Sequence, residues 1–317
     1  MGVPSDGLGE GLEPFAHDEN GWVEGIRLPE RPLAAVMWHP ERTGAPEGDR
    51  GFENMKAVIL AAGRGSRLHP YTENTPKCLT ELGGLTLIER QLRTLRAGGI
   101  DDIILVTGYE ARQLSLAGTR QVYNPHWDTT NMVESLFAVE SEFDDDLIVS
   151  YGDIVYELRV LDAILASPHD TSVVVDRAWR AYWAHRFDDP LSDAESLRTD
   201  GYGRIVDIGA PVDDLNAIDA RYLGFLRFRG DGIGALRDAR AQLGSRRRAW
   251  MDRRPVEQAY MTDLLMEMIL MGAPVHAVPV DGGWLEVDTV ADYEKLARDF
   301  ETGDIVRFFD PDAGVVT

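Results

Sequence analysis

The sequence predicts an α/β fold, in which helices cover both faces of a mostly parallel, twisted sheet. An apolar segment rich in β-formers starts at Met55 and runs directly into a glycine-containing loop at Gly63. Segments of helical and strand periodicity alternate after it. The 317 residues are 44% hydrophobic, which is enough to bury a substantial core. In such a fold we expect the ligand beyond the carboxyl ends of the strands.

The first half of this pattern is the more regular half. A helix is predicted for residues 86–97, because leucine and isoleucine recur there at helical spacing and Gly98-Gly99 supply a stop. The elements predicted after it are strands at residues 103–107 and 147–151 and helices at residues 131–140 and 158–165. This alternation is typical of βαβ units.

The second half is looser. Strands are predicted at residues 172–175, 204–208, 222–228 and 275–280, and helices at residues 257–271 and 290–300. The first of these two helices is rich in methionine, which we interpret as core filling rather than as a binding groove.

Composition and charge exclude several classes of partner. The 54 acidic residues outnumber the 32 basic ones, which gives a net charge of −22. Since nucleic acids and anionic membranes are bound by clustered lysine and arginine, neither is expected as a partner. The longest apolar runs, such as residues 57–62, are far shorter than the roughly 20 residues of a membrane span. The single cysteine allows no internal disulfide and no secretory signal opens the chain, so we expect a cytoplasmic protein.

Residues 1–54 differ from the rest of the chain. They are rich in glycine, proline and acidic residues, with 4 basic against 11 acidic side chains. From Met55 onward the sequence looks like the start of a folded domain. We therefore predict a linker or remnant of another domain at residues 1–54 and one globular domain at residues 55–317.

The glycine-containing loop carries the strongest chemical signal. Gly63 and Gly65 allow backbone N–H groups to approach a phosphate chain, and Arg67 and Lys77 add positive charge where a polyphosphate would lie. The glycines alone are weak evidence of a nucleotide site, because glycine at a strand exit usually indicates only a turn. Their spacing fits neither the P-loop nor the dinucleotide-binding fingerprint.

Three carboxylates are candidate metal ligands. Asp153 follows an apolar strand, so its side chain is expected in the ligand crevice, where it could hold Mg²⁺ against triphosphate oxygens. The alternative is that it caps the next segment. Glu286 and Asp288 lie on one face of a predicted strand and could share a metal ion, although paired acids in so acidic a chain are often only solvated.

A longer pattern extends from the glycine loop, G-x-G-x-R-L-x-P-x-T followed by P-K-x-L. It is complete here, as Gly63, Gly65, Arg67, Leu68, Pro70, Thr72, Pro76, Lys77 and Leu79. With it, residues 55 to about 300 resemble the nucleotidyltransferase family (NDP-sugar pyrophosphorylase-like) that makes nucleoside-diphosphate sugars and CDP-alcohols. The resemblance implies a Rossmann-like nucleotidyltransferase fold.

The resemblance also implies roles for individual residues. Arg67 would hold the departing pyrophosphate, and Lys77 would contact the phosphates at the reacting centre. A Mg²⁺ ion would be held by Asp153 and Asp288, with Glu286 joining them. The residues that the resemblance places around the nucleotide are Leu60, Ala61, Ala62, Gly63, Gly65, Tyr109, Asn131 and Ser135.

Within the family, the sequence is similar to phosphocholine cytidylyltransferases and their relatives that act on other small phosphorylated or phosphonate acceptors. This similarity lies in residues 123–125, 130–132, 135–136, 151–153 and 284–288. The longer metal motif and the glycine-rich stretch common in sugar nucleotidyltransferases are not clear here, so CTP is the favoured nucleotide. Asn131 and Ser135 also stand at the start of a predicted helix, and capping explains them as well as ligand contact does.

Residues 20–42 resemble the carboxyl-terminal end of class I glutamine amidotransferase-like hydrolases of the γ-glutamyl peptidase type. In those enzymes the histidine and glutamate of a Trp-His-Pro-Glu motif complete a Cys-His-Glu triad, and the matching residues here are His39 and Glu41. No nucleophile precedes them. We interpret the segment as the remnant of an upstream hydrolase domain, which implies a functional link to such a hydrolase.

Together these features predict a magnesium-dependent cytidylyltransferase that transfers CMP from CTP to a small phosphorylated acceptor and releases pyrophosphate. Because the hydrolases that residues 20–42 resemble cleave glutamine-derived bonds, the favoured acceptor is L-glutamine phosphate, giving CDP-L-glutamine for capsule phosphoramidate biosynthesis. The alternatives are a phosphocholine or phosphonate cytidylyltransferase, a sugar-1-phosphate nucleotidyltransferase, and a non-catalytic nucleotide-binding regulatory subunit. The presence of both Lys77 and Asp153 argues against the last.

Overall fold

The structure is a computed structural model that describes residues 13–17, 23–27, 34–36, 55–144, 146–245 and 254–313. Contacts between Cα atoms divide the chain into two compact units, Met1–Asp49 and Arg50–Thr317. All the predicted site residues belong to the second unit.

The described residues of the first unit form a small antiparallel sheet. Its strands are β1 (Glu13–His17), β2 (Val23–Arg27) and β3 (Ala34–Val36). They pair in the order β1-β2-β3. His39 and Glu41 lie outside the described residues, so the hydrolase-like character of this segment stays a prediction.

The second unit is built on a seven-stranded sheet. The strands of the unit are, in chain order, β4 (Lys56–Ala61), β5 (Glu81–Leu82), β6 (Leu85–Thr86), β7 (Asp102–Thr107), β8 (Arg120–Tyr123), β9 (Asp146–Tyr151), β10 (Ile154–Tyr156), β11 (Thr171–Asp176), β12 (Glu195–Thr199), β13 (Ile205–Pro211), β14 (Arg221–Arg229), β15 (His276–Val280) and β16 (Trp284–Glu286). The order in the large sheet is β15-β11-β14-β9-β4-β7-β8. Only β14 runs antiparallel to its neighbours within this sheet. The predicted mostly parallel sheet is confirmed.

Helices cover both faces of this sheet, as predicted. They are α1 (Leu87–Ala97), α2 (Met132–Phe137), α3 (Leu158–Leu165), α4 (Trp179–Arg186), α5 (Asp231–Ser245), α6 (Met261–Leu270) and α7 (Val290–Thr302). Ala57 and Ile59 of β4 face a core shared with α1, α3, α4 and α7, whereas Val58 faces a second core shared with α2, α5 and α6. Because β4 is covered on both sides, its sequence is a continuous apolar run. No helix in the described ranges has the length and apolar character that crossing a bilayer requires.

Some observed elements differ from the predicted ones. The helix predicted at residues 257–271 begins at Met261, because Asp263 accepts the backbone N–H of Tyr260 at 2.7 Å and fixes the cap there. The helix predicted at residues 131–140 ends at Phe137. The strand predicted at residues 204–208 is β13, which pairs with β12 outside the large sheet. The strands β5, β6, β8, β10 and β12 and the helices α4 and α5 were not predicted from the sequence, because their short or mixed sequences lack a clear apolar period.

Candidate active site

Two strand ends bring the candidate catalytic carboxylates together. Asp153 lies in the turn between β9 and β10, and β10 pairs antiparallel with β16. The backbone N–H of Val287 donates to the carbonyl of Asp153 at 3.0 Å. Asp288 therefore lies beside Asp153, although the two are far apart in the sequence.

The glycine loop, residues 62–68, follows β4 at the same edge of the sheet. Gly65 has a left-handed backbone with φ of 67°, and a Cβ atom there would lie 2.8 Å from Cβ of Lys77. The Thr72 hydroxyl donates to the Gly65 carbonyl at 2.7 Å and holds this conformation. Position 65 thus requires glycine both for its backbone conformation and for the close approach of Lys77.

Gly63 is constrained differently. A Cβ atom at this position would meet no protein atom within 4 Å. Gly63 also lines the cavity at this edge of the sheet. A side chain at position 63 would therefore enter space that a ligand can use.

Lys77 is the centre of the ionic network in this site. Its ammonium donates to Oδ2 of Asp153 at 2.8 Å and to Oδ1 of Asp288 at 2.7 Å. Arg67 binds the other oxygen of the same carboxylate, with 2.7 Å between Nη1 and Oδ2 of Asp288. The Lys77 side chain is only 13% exposed, whereas that of Arg67 is 67% exposed. Lys77 is thus fixed in the wall of the site, and Arg67 reaches over its rim.

Charge neutralisation keeps Lys77 protonated. Burial disfavours its charged form, but the carboxylates of Asp153 and Asp288 outweigh burial and hold the pKa of the ammonium above its ordinary value. The side chain is therefore a cation at neutral pH and can interact with a phosphate oxygen.

Asp153 has unused capacity as a ligand. Its Oδ2 atom accepts from Lys77, whereas its Oδ1 atom is buried and has no hydrogen-bond partner among the described residues. A buried polar atom without a partner costs free energy, and a divalent cation would satisfy it. Among the described residues, no group of three or more His, Cys, Asp or Glu side chains is arranged to hold a metal ion. A metal bound by Asp153 and Asp288 would therefore need further ligands from a nucleotide or from water.

Glu286 occupies a different environment. Its Oε2 atom lies 2.5 Å from Nη1 of Arg186, and the same guanidinium donates to Asp292 at 3.0 Å through its other two nitrogens. Burial opposes ionisation of Glu286, but Arg186 and Arg221 prevail and lower its pKa to about 2. The carboxylate has a cationic partner and does not line the cavity. Its participation in metal binding stays a prediction.

The cavity gathers most of the residues predicted to bind the nucleotide. Its lining consists of Leu60, Ala61, Ala62, Gly63, Gly65, Ser66, Arg67, Lys77, Cys78, Trp127, Thr130, Asn131, Met132, Ser135, Tyr151, Gly152, Asp153 and Asp288. Tyr109 is absent from this lining. It packs instead against Trp127, with ring centroids 5.4 Å apart, and its hydroxyl donates to the carbonyl of Glu73. Tyr109 therefore supports a wall of the cavity from outside.

Asn131 and Ser135 combine the two roles that the sequence left open. Asn131 is the N-cap of α2, and its Oδ1 atom accepts the N–H of Met132 at 2.9 Å. The Ser135 hydroxyl accepts from Nδ2 of Asn124 at 3.1 Å. Both residues also line the cavity. Their contact with a ligand stays a prediction.

Trp127 lines the cavity but was not predicted from the sequence as a site residue. Trp127 lies in the loop between β8 and α2, where no periodicity marks it. The one local signal is Gly108, where a Cβ atom would lie 2.4 Å from Cβ of Trp127. The requirement for glycine at position 108 is evident only when the structure shows that Gly108 and Trp127 are in contact.

Comparison with known proteins identifies the family. Residues 57–212 match the family described as the MobA-like NTP transferase domain. Over 252 residues the chain is 33% identical to the CTP:phosphoglutamine cytidylyltransferase of Campylobacter jejuni, an alignment that covers 76% of this chain and 98% of that protein. The chain belongs to the nucleotidyltransferase family. The predicted enzyme class is confirmed.

Two further comparisons place this nucleotidyltransferase among its relatives. It is 38% identical over 107 residues to the choline-phosphate cytidylyltransferase of Streptococcus pneumoniae, which covers 32% of this chain and 47% of that protein. The solved structure of the CTP:phosphocholine cytidylyltransferase from Streptococcus pneumoniae is similar with a TM-score of 0.59 and 24% identity, covering 77% of this chain and 98% of that one. The structural likeness confirms the Rossmann-like nucleotidyltransferase fold.

Proposed function

We propose that this nucleotidyltransferase transfers CMP from CTP to L-glutamine phosphate, forming CDP-L-glutamine and pyrophosphate. The observation that carries the proposal is the alignment that covers 98% of the Campylobacter jejuni CTP:phosphoglutamine cytidylyltransferase. The choline-phosphate cytidylyltransferase of Streptococcus pneumoniae is matched over only 47% of its length. Because an acceptor pocket draws residues from several parts of a chain, 33% sequence identity along nearly the whole relative favours the same acceptor more than a match to half of a relative does.

In the proposed reaction, an oxygen of the acceptor phosphate attacks the α-phosphorus of CTP. The bond from that phosphorus to the bridging oxygen breaks, and pyrophosphate leaves with the electron pair. Arg67 and Lys77 border the cavity and would neutralise the charge that develops on the phosphates. The two carboxylates that bind Lys77 hold it in place before the substrates arrive, so catalysis rests on positioning and charge.

The reaction needs no covalent protein intermediate. Cys78 lines the cavity, but its side chain is buried and burial raises the pKa of its thiol to about 12. Such a thiol is protonated at neutral pH and is a poor nucleophile. Direct transfer between CTP and the acceptor is therefore the proposed route.

Nucleotidyltransferases of this family generally use a divalent metal ion. We propose Mg²⁺, held by Asp153 and Asp288, and the unpaired Oδ1 atom of Asp153 supports this assignment. When bound, the ion would neutralise triphosphate charge and orient its oxygens. Such neutralisation would allow a chain with a net charge of −22 to accept a polyanion.

The proposed product would also explain why residues 20–42 resemble part of a hydrolase. An amidotransferase-like hydrolase would consume CDP-L-glutamine by cleaving its glutamine-derived bond, and the resemblance of this segment to such hydrolases supports the functional link. We assign nucleotidyl transfer to residues 55–317 and interpret residues 1–54 as the remnant of an upstream domain, in a pathway that makes capsule phosphoramidate.

Pyrophosphate release by the full-length protein tests this proposal. ATP, CTP, GTP and UTP would each be combined with L-glutamine phosphate, phosphocholine or glucose 1-phosphate, with and without Mg²⁺. We expect turnover only with CTP, L-glutamine phosphate and Mg²⁺ together. Efficient turnover of phosphocholine with none of L-glutamine phosphate would contradict the acceptor, and a preference for another nucleotide would contradict the assignment of CTP.

A further inference from the structure

Next to the cavity lies a group of charged side chains that the proposed reaction does not use. Asp193, Glu195 and Arg221 form this group, called here the Arg221 cluster. Arg221 is the first residue of β14 and lies opposite Asp176, the last residue of β11. Since β14 is antiparallel to the sheet, its first residue lies at the edge where the parallel strands end. The cluster therefore lies on the same edge as the site.

Two residues of the Arg221 cluster lie near residues that line the cavity. Asp193 is close enough to Asp288 for the two charges to interact, and Glu195 interacts electrostatically with Tyr151. Tyr151 lines the cavity. The side chain of Asp193 is 35% exposed, so part of the cluster is accessible to a small molecule.

Arg221 has hydrogen-bonding capacity that the described residues leave unused. Its side chain is 12% exposed, and its Nε atom is buried without a partner. Its Nη2 atom makes a long contact of 3.3 Å to Oδ2 of Asp193. Arg186, the neighbouring arginine, instead has Nε, Nη1 and Nη2 all bonded to carboxylates. A ligand carboxylate could bind Arg221 through Nε and Nη2 in a bidentate manner and satisfy the unpaired donor.

The cluster also carries more negative charge than positive. Arg221 faces two carboxylates, and burial raises the pKa of both Asp193 and Glu195 although Arg221 acts in the opposite direction. Glu286 and its partner Arg186 also act on Asp193, with opposite signs. In the part of the chain that the structure describes, the Glu195 carboxylate accepts no hydrogen bond. A ligand ammonium would supply both the missing positive charge and the missing donors.

Two aromatic residues beside the Arg221 cluster, Trp183 and Tyr182, are unsuited to a quaternary ammonium. Trp183 is fully buried, and the guanidinium groups of Arg221 and Arg186 lie over its ring, 4.2 Å and 4.5 Å from the centroid. Tyr182 is also buried, and its hydroxyl is hydrogen-bonded to the backbone of Glu286. A quaternary ammonium binds through ring faces, which protein cations occupy here, whereas a primary ammonium binds carboxylates.

We propose that the Arg221 cluster binds the amino-acid end of the acceptor, with Arg221 on the α-carboxylate and Asp193 and Glu195 on the α-ammonium. The assignment rests on the proposed function and names the residues that determine its acceptor specificity. A bound carboxylate would displace the long contact between Arg221 and Asp193. Asp193 would then be free to accept from the ammonium together with Glu195.

Steady-state kinetics with trimmed acceptors tests this assignment in the full-length protein. Two analogues of L-glutamine phosphate are used, one with hydrogen in place of the α-carboxylate and one with hydrogen in place of the α-amino group. We expect Arg221→Gln to raise the KM for L-glutamine phosphate by about 10- to 100-fold, the size of a lost charged hydrogen bond. The same variant should leave the KM for the analogue without the carboxylate, and the KM for CTP, nearly unchanged. Glu195→Gln should also raise the KM for L-glutamine phosphate, and it should leave the KM for the analogue that lacks the amino group nearly unchanged.

Arg198→Gln is the matched control, because Arg198 lies on β12 near Glu195 but is exposed and makes only a 3.9 Å ion pair with Asp219. An unchanged KM for L-glutamine phosphate in both cluster variants, with an active wild type, would overturn the Arg221 assignment and leave the proposed function standing. A wild type that is inert with L-glutamine phosphate would overturn both. If Arg221→Gln does not fold, Glu195→Gln and the wild type still test the assignment. Equal KM values of the wild type for L-glutamine phosphate and the two analogues would contradict it.

Discussion

The Nζ atom of Lys77 lies 2.7 Å from Oδ1 of Asp288, a contact that joins the segment after the glycine loop to the residues that follow β16. The other oxygen of Asp288 binds Arg67 at 2.7 Å. One carboxylate thus orients both cations that we assign to the phosphates. Asp288 is 5% exposed, so its charge is stabilised mainly by these partners. The order of the site therefore depends on a residue far from the motif that identifies it.

Replacing either aspartate should remove activity. Asp153→Asn and Asp288→Asn keep the size of the side chain but remove the charge that would hold Mg²⁺. We expect pyrophosphate release to fall by at least about 100-fold in each variant. Excess Mg²⁺ should recover part of the loss if the ion is bound more weakly. Asp101→Asn, at an exposed position outside the site, is the control and should keep wild-type rates. Full activity of both site variants would refute the metal assignment.

The two cations should contribute separately to the rate. Lys77→Ala and Arg67→Ala should each lower kcat/KM by about 100-fold or more, as the loss of charge stabilisation typically does. Lys77→Ala also leaves Asp153 and Asp288 without their shared counterion, so it should lower the melting temperature more than Arg67→Ala does. Kinetics and thermal unfolding of both variants measure this. Near wild-type rates in either variant would show that its residue does not stabilise the phosphates. Arg93→Ala, at an exposed position, is the control.

Substitution of the two loop glycines should impair the protein in different ways. Gly63→Ala meets no protein atom, so its stability should match the wild type while its KM for CTP rises. Gly65→Ala must adopt a left-handed backbone and also press on Lys77, so it should lose at least about 1–2 kcal/mol of stability. Denaturant unfolding and CTP titration of the two variants separate these effects. An unchanged KM for CTP in Gly63→Ala would mean that no phosphate lies against this glycine.

Nucleotidyl transfer should survive removal of residues 1–54. The first strand of the large sheet, β4, begins at Lys56, and the cavity-lining residues begin at Leu60, within this strand. We expect kcat and the KM for CTP of the truncated protein to remain within about threefold of the full-length values, a change worth less than 1 kcal/mol. A truncated protein that folds, as judged by circular dichroism, but has no activity would show that this segment contributes to the site.

The glycine loop and its cations could be predicted because the information is local. The nine positions of the pattern all lie between Gly63 and Leu79, at fixed spacing. The parallel sheet could be predicted for a similar reason, since its buried strands are continuous apolar runs such as β4 and β9.

The rest of the site depends on pairings across long stretches of chain. The partner of Glu286 is Arg186, 100 positions away in the sequence, and no pattern announces the pair. Arg221 lies at the ligand edge of the sheet because β14 is antiparallel to its neighbours, a direction that the sequence does not indicate. Neither the strand order nor the side-chain partners can be derived from a single sequence. The roles of these residues could therefore be inferred only from the structure.

Direct detection of the product tests the proposed function most sharply. The full-length protein would be incubated with CTP, Mg²⁺ and an equimolar mixture of L-glutamine phosphate and phosphocholine, and the products would be identified by mass spectrometry and ³¹P NMR. The mixture makes the two acceptors compete for one site under identical conditions. We predict CDP-L-glutamine as the dominant product, formed in equal amount to pyrophosphate. CDP-choline as the dominant product, with no CDP-L-glutamine, would contradict the proposed function.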